Sequence, residues 1–576
     1  MLRRSTSPDE EMSYVGSHPK RGIIVVLSAV LMIVMMAMLA FSIDVGYMYT
    51  MQSQLQRSVD AATLAGAGSL IDGEDAATDA IHEYLVRNPV GTQWKEYDNQ
   101  PVEESVAHFM DHYAQGLEVN FGEWDGDTQE VIPSTRPAST VKVSMRYDNM
   151  PFFFGHLLGR DTFSIQANSA AAYQPRDIMV VLDLSGSMND DSEFNAFNKL
   201  GVAHVTANQL QMYEELGSPI YGNLEFEPKW AVAKGPAPEI DAQAQVTVEY
   251  QYSTVVVSST KSYDRIRVRR QNGDVITYYP SGTTGTYTPG GQVREVWAYS
   301  GKNADGSDQV HYFDFTNRDT FITALGLDTV AYPYSGNWDS YINYCTSSNG
   351  QNKNAGFRYK FGYQNFIVYL LEQRTLHEQS TDMWKASAQP ITALKSSVAM
   401  FVNFIQQADS DDQMGLSMYN GPGGNGILES TLGDDFGYIV AQANQRQAGY
   451  YHNYTNIAGG MTVAREELDA RARPGAYKMM VLMTDGVANW NNGGVNTSAA
   501  RDAVINEAHL AADKGYVIVT ISMGAGADTD LMQQVADITN GAHFNIPGGK
   551  TGDEYAEELT EVFQQIAGYR PLRLVQ

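Results

Sequence analysis

The segment Asp183-Leu184-Ser185-Gly186-Ser187 sets one carboxylate and two hydroxyls at alternate positions. On an extended loop that spacing projects three oxygen donors toward a common point. Carboxylates and hydroxyls are hard donors, suited to Mg²⁺, Mn²⁺ or Ca²⁺ rather than zinc. The loop follows Ile178–Leu182, a near-continuous apolar run of the kind found in parallel strands buried on both faces. A second run, Lys478–Thr484, stops at Asp485-Gly486, and a third, Tyr516–Met523, stops at Gly524-Ala525-Gly526. In open α/β sheets ligands sit outside the carboxyl ends of such strands, which is where both acids fall. The first loop taken alone also has a plainer reading: Asp-Ser-Gly sequences make turns, and Ser caps helices.

These strands must be positioned by helices, and the 3.6-residue period supplies them at Ile391–Gln407, Ile457–Ala472, Ser498–Lys514 and Asp530–Thr539. Strand and helix in alternation predict an α/β fold with a doubly wound parallel sheet. The set resembles a von Willebrand factor A domain with a metal-ion-dependent adhesion site. Asp183, Ser185 and Ser187 match that family's D-x-S-x-S loop, Thr455 in Thr455-Asn456-Ile457-Ala458-Gly459-Gly460 its second loop, and Asp485 in Met483-Thr484-Asp485-Gly486 its third. The resemblance implies direct metal bonds from Ser185, Ser187 and Thr455, with Asp183 and Asp485 acting largely through water. It implies Mg²⁺ first, Mn²⁺ or Ca²⁺ otherwise, and an open position for an acidic side chain of a protein ligand. Two carboxylates roughly neutralise such an ion. Asn456 is an alternative oxygen donor to Thr455.

The domain is expected to run over 175–572, interrupted by an insertion at 189–385, because the match to the family's first helix starts only at Ala393. After a helical start at Phe194–Leu216, Val246, Val248, Tyr250 and Tyr252 alternate with polar neighbours. Arg265–Arg270 and Val275–Tyr279 flank Asn272-Gly273, a hairpin signal. The insertion therefore reads as a mainly β, Tyr-rich module, either an interaction surface or ordinary packing.

Gly22 to Ile43 carries no charge over 22 residues, enough helix to cross about 30 Å of hydrocarbon. The run is longer than a signal-peptide core and Met38-Leu39-Ala40 lacks a small residue at the −3 position, so a retained single-pass anchor is expected. Arg3, Arg4, Lys20 and Arg21 precede it and Asp44 follows. The positive-inside rule then puts 1–21 in the cytoplasm and the bulk outside, in the periplasm or at the cell surface. Met48, Met51, Leu55, Val59 and Ala62 continue as an apolar helical stripe over 44–70, packed either on the chain's own domain or on partner helices. The region 21–70, with its Arg21-Gly22 start, the Asp44-Val45-Gly46 step and Asp60-Ala61-Ala62, resembles TadG-like proteins of the tight-adherence (Flp) pilus-assembly family. Leu27 stands where a prepilin would carry Glu, which argues against pilin-type cleavage. Residues 71–174 read as a small α/β region: helices near Ala76–Val86 and Val102–Tyr113, strands near Leu117–Phe121, Ser139–Tyr147 and Thr162–Ala170. The stretch from Thr140 to Ala172 is also similar to the TadG-like family.

Other chemistry is thin. His108 and His112 share a helical face, but a zinc-protease pair needs Glu where Phe109 stands, so they read as a surface pair. Gly421–Gly426 fits G-x-G-x-x-G without a following phosphate-binding helix. There is no P-loop and no nucleophile elbow. A net charge of −28 argues against a nucleic-acid or anionic-membrane partner, and the lone Cys345 excludes an intramolecular disulfide framework. The expected function is a membrane-anchored, extracytoplasmic adhesion or pilus-assembly protein, not an enzyme, that binds a protein ligand through a divalent cation and associates with pilus or envelope components. Alternatives are an envelope scaffold in which the metal is structural, and a metal-dependent hydrolase with His452 as a remote candidate base.

Overall fold

Strand Arg176–Leu182 is buried at every position, and it lies in the middle of a six-stranded sheet. Across that sheet the order is Ile427–Gly433, Gln413–Met418, Arg176–Leu182, Tyr477–Thr484, Val517–Met523 and His543–Ile546. Only Ile427–Gly433, at one edge, runs antiparallel. Numbered along the chain the order is 3-2-1-4-5-6, so the winding reverses between Arg176–Leu182 and Tyr477–Thr484. Alternate residues of the central strand feed two cores. Ile178, Val180 and Leu182 pack with helices Ile391–Ala408 and Gly552–Gly568, while Met179 and Val181 pack with Ile457–Arg471, Thr497–Asp513 and Thr529–Ile538. The result is the three-layer doubly wound architecture.

This computed structural model describes residues 21–576 except 126–127, 129, 134–137, 301–312, 409–410, 421, 525, 570 and 576. The proposed cytoplasmic tail, with Arg3, Arg4 and Lys20, lies outside the described residues. The chain forms two compact units, residues 174–569 and residues 1–173 with 570–576.

Within the larger unit, the segment between Ser187 and the helix Ile391–Ala408 holds two four-stranded sheets over 232–314, with the Arg265–Arg270/Val275–Tyr278 hairpin closing on Gly273 in the left-handed region (φ 94°). Three features depart from the sequence reading. The expected helix Phe194–Leu216 is broken: Gly201 at φ 85° separates Phe197–Leu200 from Val202–Glu215. The alternating strand stops at Tyr250, because Tyr252 takes a positive φ of 65° in the turn. The last third of the segment is helical, with helices Arg318–Ala324, Trp338–Thr346 and Tyr363–Gln373. Nine consecutive residues, Tyr363–Leu371, are buried, so that helix has no polar face to give it a period.

The first unit joins the 49-residue helix Arg21–Ser69 to an antiparallel sheet ordered Glu130–Ile132, Leu117–Asp125, Thr140–Pro151, Thr162–Tyr173 and Leu572–Leu574. Residues 24–43 of the helix are exposed and strongly apolar, long enough to cross a bilayer. Beyond them Met51, Leu55, Val59 and Ala62 pack with Val141, Val143, Met145 and Ile165. The stripe thus serves its own unit, the plainer of the two readings. His108 and His112 are an exposed pair with Nδ1 atoms 2.8 Å apart, and Cys345 is a buried thiol.

Candidate metal centre

The reversal point of the sheet brings the ends of Arg176–Leu182 and Tyr477–Thr484 side by side, and with them Asp183 and Asp485. Asp183 is fully buried. Its Oδ1 accepts the Ser185 N–H at 2.7 Å, and its Oδ2 accepts the Thr484 hydroxyl at 2.9 Å. The first bond curls the loop so that Ser185 and Ser187 place their hydroxyl oxygens 2.9 Å apart. Ser187 then bridges the two strands, its Oγ donating to Asp485 Oδ1 at 2.7 Å.

Thr455 comes from the loop before helix Ile457–Arg471. Its N–H donates to Asn489 Oδ1 at 2.8 Å, and its carbonyl accepts the N–H groups of Asn489 and Trp490 at 3.0 and 3.2 Å. Gly486 lies between Ser187 and Thr455: a Cβ there would stand 3.3 Å from Ser187 Oγ and 3.7 Å from Thr455 Oγ1. A side chain would press on the Ser187 hydroxyl and stand in contact with that of Thr455, space that glycine leaves free. Asn456, the alternative donor, has its amide engaged as the helix N-cap: Oδ1 accepts the Gly459 N–H at 3.0 Å and Nδ2 donates to Gly424 O at 2.6 Å. His452 packs its ring against Tyr454 and Trp490, each 4.9 Å away, and is outside the cleft lining.

Asp183, Ser185, Thr455 and Asp485 are buried, and Ser187 alone of the five is partly exposed. It opens on a cleft of about 300 Å³ whose walls include Thr455, Asp485, Gly486, Asp190, Asp191 and Lys199. The last three begin the inserted segment and were not expected at the site from the sequence. The run Asn189-Asp190-Asp191-Ser192 looks like a solvated surface turn, and only its start two residues after Ser187 hinted otherwise. Tyr555 Oη donates to Asp191 Oδ2 at 2.9 Å.

The electrostatics follow from four acids near one another. Burial raises the Asp183 carboxyl above the usual range against the pull of its hydrogen bonds. Burial first, and then the charge of Asp183, push Asp485 well above it. Asp190 is pushed up to about 6, mainly by burial, with Asp191 adding to the shift and Lys199 opposing it. Among the described residues no three or more His, Cys, Asp or Glu side chains gather as a metal cage. The donor set here is two carboxylates and three hydroxyls. All are oxygen, the Ser187 and Thr455 hydroxyls flank Gly486, and the two acids are held close together with their pKa values raised, as a bound cation would relieve. That set fits a hard divalent cation.

Residues 376–550 match the von Willebrand factor type A domain family. The larger unit carries a von Willebrand A domain. The match leaves out Arg176–Leu182 and its loop, which the sheet restores to the A domain as its central strand. In the first unit, residues 22–69 match the Flp pilus-assembly TadE/G-like family and 65–171 the Tad-like Flp pilus-assembly family. No curated protein matches the chain. Similar solved structures include the pilus adhesin SpaC from Lactobacillus rhamnosus GG, at 18% identity and TM-score 0.24, covering 31% of this chain and 28% of that one. The chain thus spans under a third of the adhesin's length. BatB from Bacteroides thetaiotaomicron is 12% identical over 31% of this chain and 91% of its own, with TM-score 0.24. The SpRpn10 A domain is 16% identical over 29% and 82%, with TM-score 0.23.

Proposed function

We propose that the protein is a membrane-anchored component of a Flp-type pilus-assembly system whose A domain captures a protein partner through a divalent cation, without catalytic turnover. The observation that carries this reading is the Ser187–Asp485 bond across the reversal point, which gathers two acids and the hydroxyls beside an open cleft. Ser185, Ser187 and Thr455 would hold the ion directly, with Asp183 and Asp485 behind them. The ion, Mg²⁺ before Mn²⁺ or Ca²⁺, would supply a Lewis-acidic point for a partner's carboxylate. Ser187 orients Asp485, and Gly486 keeps the approach clear. Arg3, Arg4, Lys20 and Arg21, all on the amino side of the apolar run 24–43, support a cytoplasmic N-terminus with the A domain outside the membrane.

A second reading, an envelope scaffold with a structural metal, draws support from the burial of four of the five site residues. Solubilised full-length protein, immobilised and exposed to envelope extract, distinguishes the two. Capture is expected in Mg²⁺, with loss in EDTA and in Asp183→Ala, while calorimetry shows one Mg²⁺ site in the wild type alone. Capture by Asp183→Ala equal to wild type overturns ligand capture through the ion and leaves the scaffold.

A further inference from the structure

Asp44, the first charged residue after the apolar run, is 4% exposed, although its neighbours Ile43 and Val45 are 42% and 44% exposed. What covers it is the turn at residues 152–159, between the two longest strands of the first unit, Thr140–Pro151 and Thr162–Tyr173. The Phe153 N–H donates to Asp44 Oδ1 at 2.9 Å, and the Phe154 N–H donates to the same carboxylate at 3.1–3.2 Å. Tyr47, one turn further along the helix, meets the Phe153 ring edge-on at 4.7 Å. The turn is also closed internally, by Phe152 N–H to Asp161 O and Arg160 N–H to Gly155 O, both 3.0 Å.

Although so firmly built, the turn shows oil to its surroundings. Phe153 is 58% exposed and Leu157 69%. Phe154 is exposed as well. Exposed His156 and Arg160 border the cluster. Rings and aliphatics flanked by a long cationic side chain form the composition that settles where hydrocarbon meets headgroups. The level is right too. Tyr47 stands roughly 4.5 Å along the helix from Asp44, so the tip touches the helix within a turn of the end of the span.

We infer that the turn 152–159 is a second membrane contact, seated in the interface of the leaflet where the helix emerges, with Asp44 as the positioning residue that pins it there. The inference rests on the reading of 24–43 as a membrane span. It makes the bilayer the occupant of this patch. A helix alone leaves its unit free to swing about one point; a helix plus a pinned interfacial tip fixes tilt and rotation together.

The test uses full-length protein in phosphatidylcholine nanodiscs, with Cys345→Ala as background and single nitroxide labels at Leu157→Cys, Met36→Cys and Asp75→Cys. Asp75 follows the far end of the helix, roughly 40 Å from Asp44. Collision with oxygen relative to an aqueous nickel chelate is expected to be severalfold higher at 157 than at 75, approaching the value at 36. Adding Asp44→Ala, or the milder Asp44→Asn, is expected to bring 157 down toward 75 while 36 is unchanged. A value at 157 equal to that at 75, with 36 in lipid, overturns the inference. So does exclusion of both reagents at 157, which would mean protein cover such as a second copy. A value at 157 unmoved by either Asp44 variant removes Asp44 from its role. An aqueous value at 36 instead sinks the span itself, a separate failure.

Discussion

At the amino end of strand Arg176–Leu182 every charge has a partner. Arg176 and Asp412, 0% and 1% exposed, pair at 2.7 Å, and Arg176 Nη1 also donates to the carbonyls of Ile566, Ala567 and Tyr569. Asp177 beside it accepts Arg473 at 2.6 Å. At the carboxyl end of the same strand, seven residues on, Asp183 faces Asp485 with hydroxyls and amides around it, and among the described residues Lys199 is the one cation lining the cleft. Both ends desolvate carboxylates. One end compensates them within the fold, and the other leaves them raised in pKa. Removing half of a compensated buried pair strands a charge; neutralising one of two crowded acids relieves repulsion. The two ends should therefore answer mutation with opposite signs.

The largest effect belongs to the compensated end. Arg176→Met leaves Asp412 buried without its partner and is expected to cost about 3–5 kcal/mol in urea or thermal unfolding. A cost below about 1 kcal/mol would erase the contrast. At the crowded end, Asp485→Asn keeps an acceptor for Ser187 and removes the repulsion, so its melting temperature in EDTA is expected to rise above wild type. The same variant is expected to lose the stabilisation that wild type gains from Mg²⁺, about 2.7 kcal/mol at one hundred times Kd. A fall in the EDTA melting temperature would show that Asp485 is compensated after all.

The smallest effect sharpens the comparison with a third group of acids, inside the inserted segment. Burial chiefly, with neighbouring acids, pushes Glu372 up to about 7 from 4.5 and Glu193 well above the usual range. Here the folded form holds a proton that the unfolded form releases near 4.5. The stability this lends is complete below that pH and is lost as pH rises through 7. Glu372→Gln is expected to raise the melting temperature at pH 8 by a few degrees and to leave pH 5 unchanged, read by calorimetry across the range. Equal shifts at both pH values would assign the gain to packing instead of to charge.

Much of this was legible in the residues because burial on both faces writes a strand as a solid apolar run. Ile178–Leu182, Lys478–Thr484 and Tyr516–Met523 all became strands of one sheet, and the loop acids stand at their carboxyl ends. Helix periods marked Ile391–Ala408 and Ile457–Arg471 because each keeps a polar face. The edge strand Ile427–Gly433 went unread: its Glu, Ser, Thr and Gly content gives a half-exposed strand no apolar run. Asp190 and Asp191 joined the cleft through the path of the chain, which spacing does not encode. Tyr363–Gln373 was lost for the reverse reason, since a helix buried all round has no period to detect.

Leu572–Leu574 pairs with Ala171–Tyr173, completing a sheet whose other strands precede residue 174. The ribosome therefore delivers the closing piece of the first unit only after the whole A domain with its insertion has been made. Until then the strand Thr162–Tyr173 has an open edge near its end, a sticky flank that a chaperone or a neighbouring nascent chain can occupy. Completion of the first unit thus waits for the arrival of a three-residue latch, and a truncation there would strike the unit that was synthesised first.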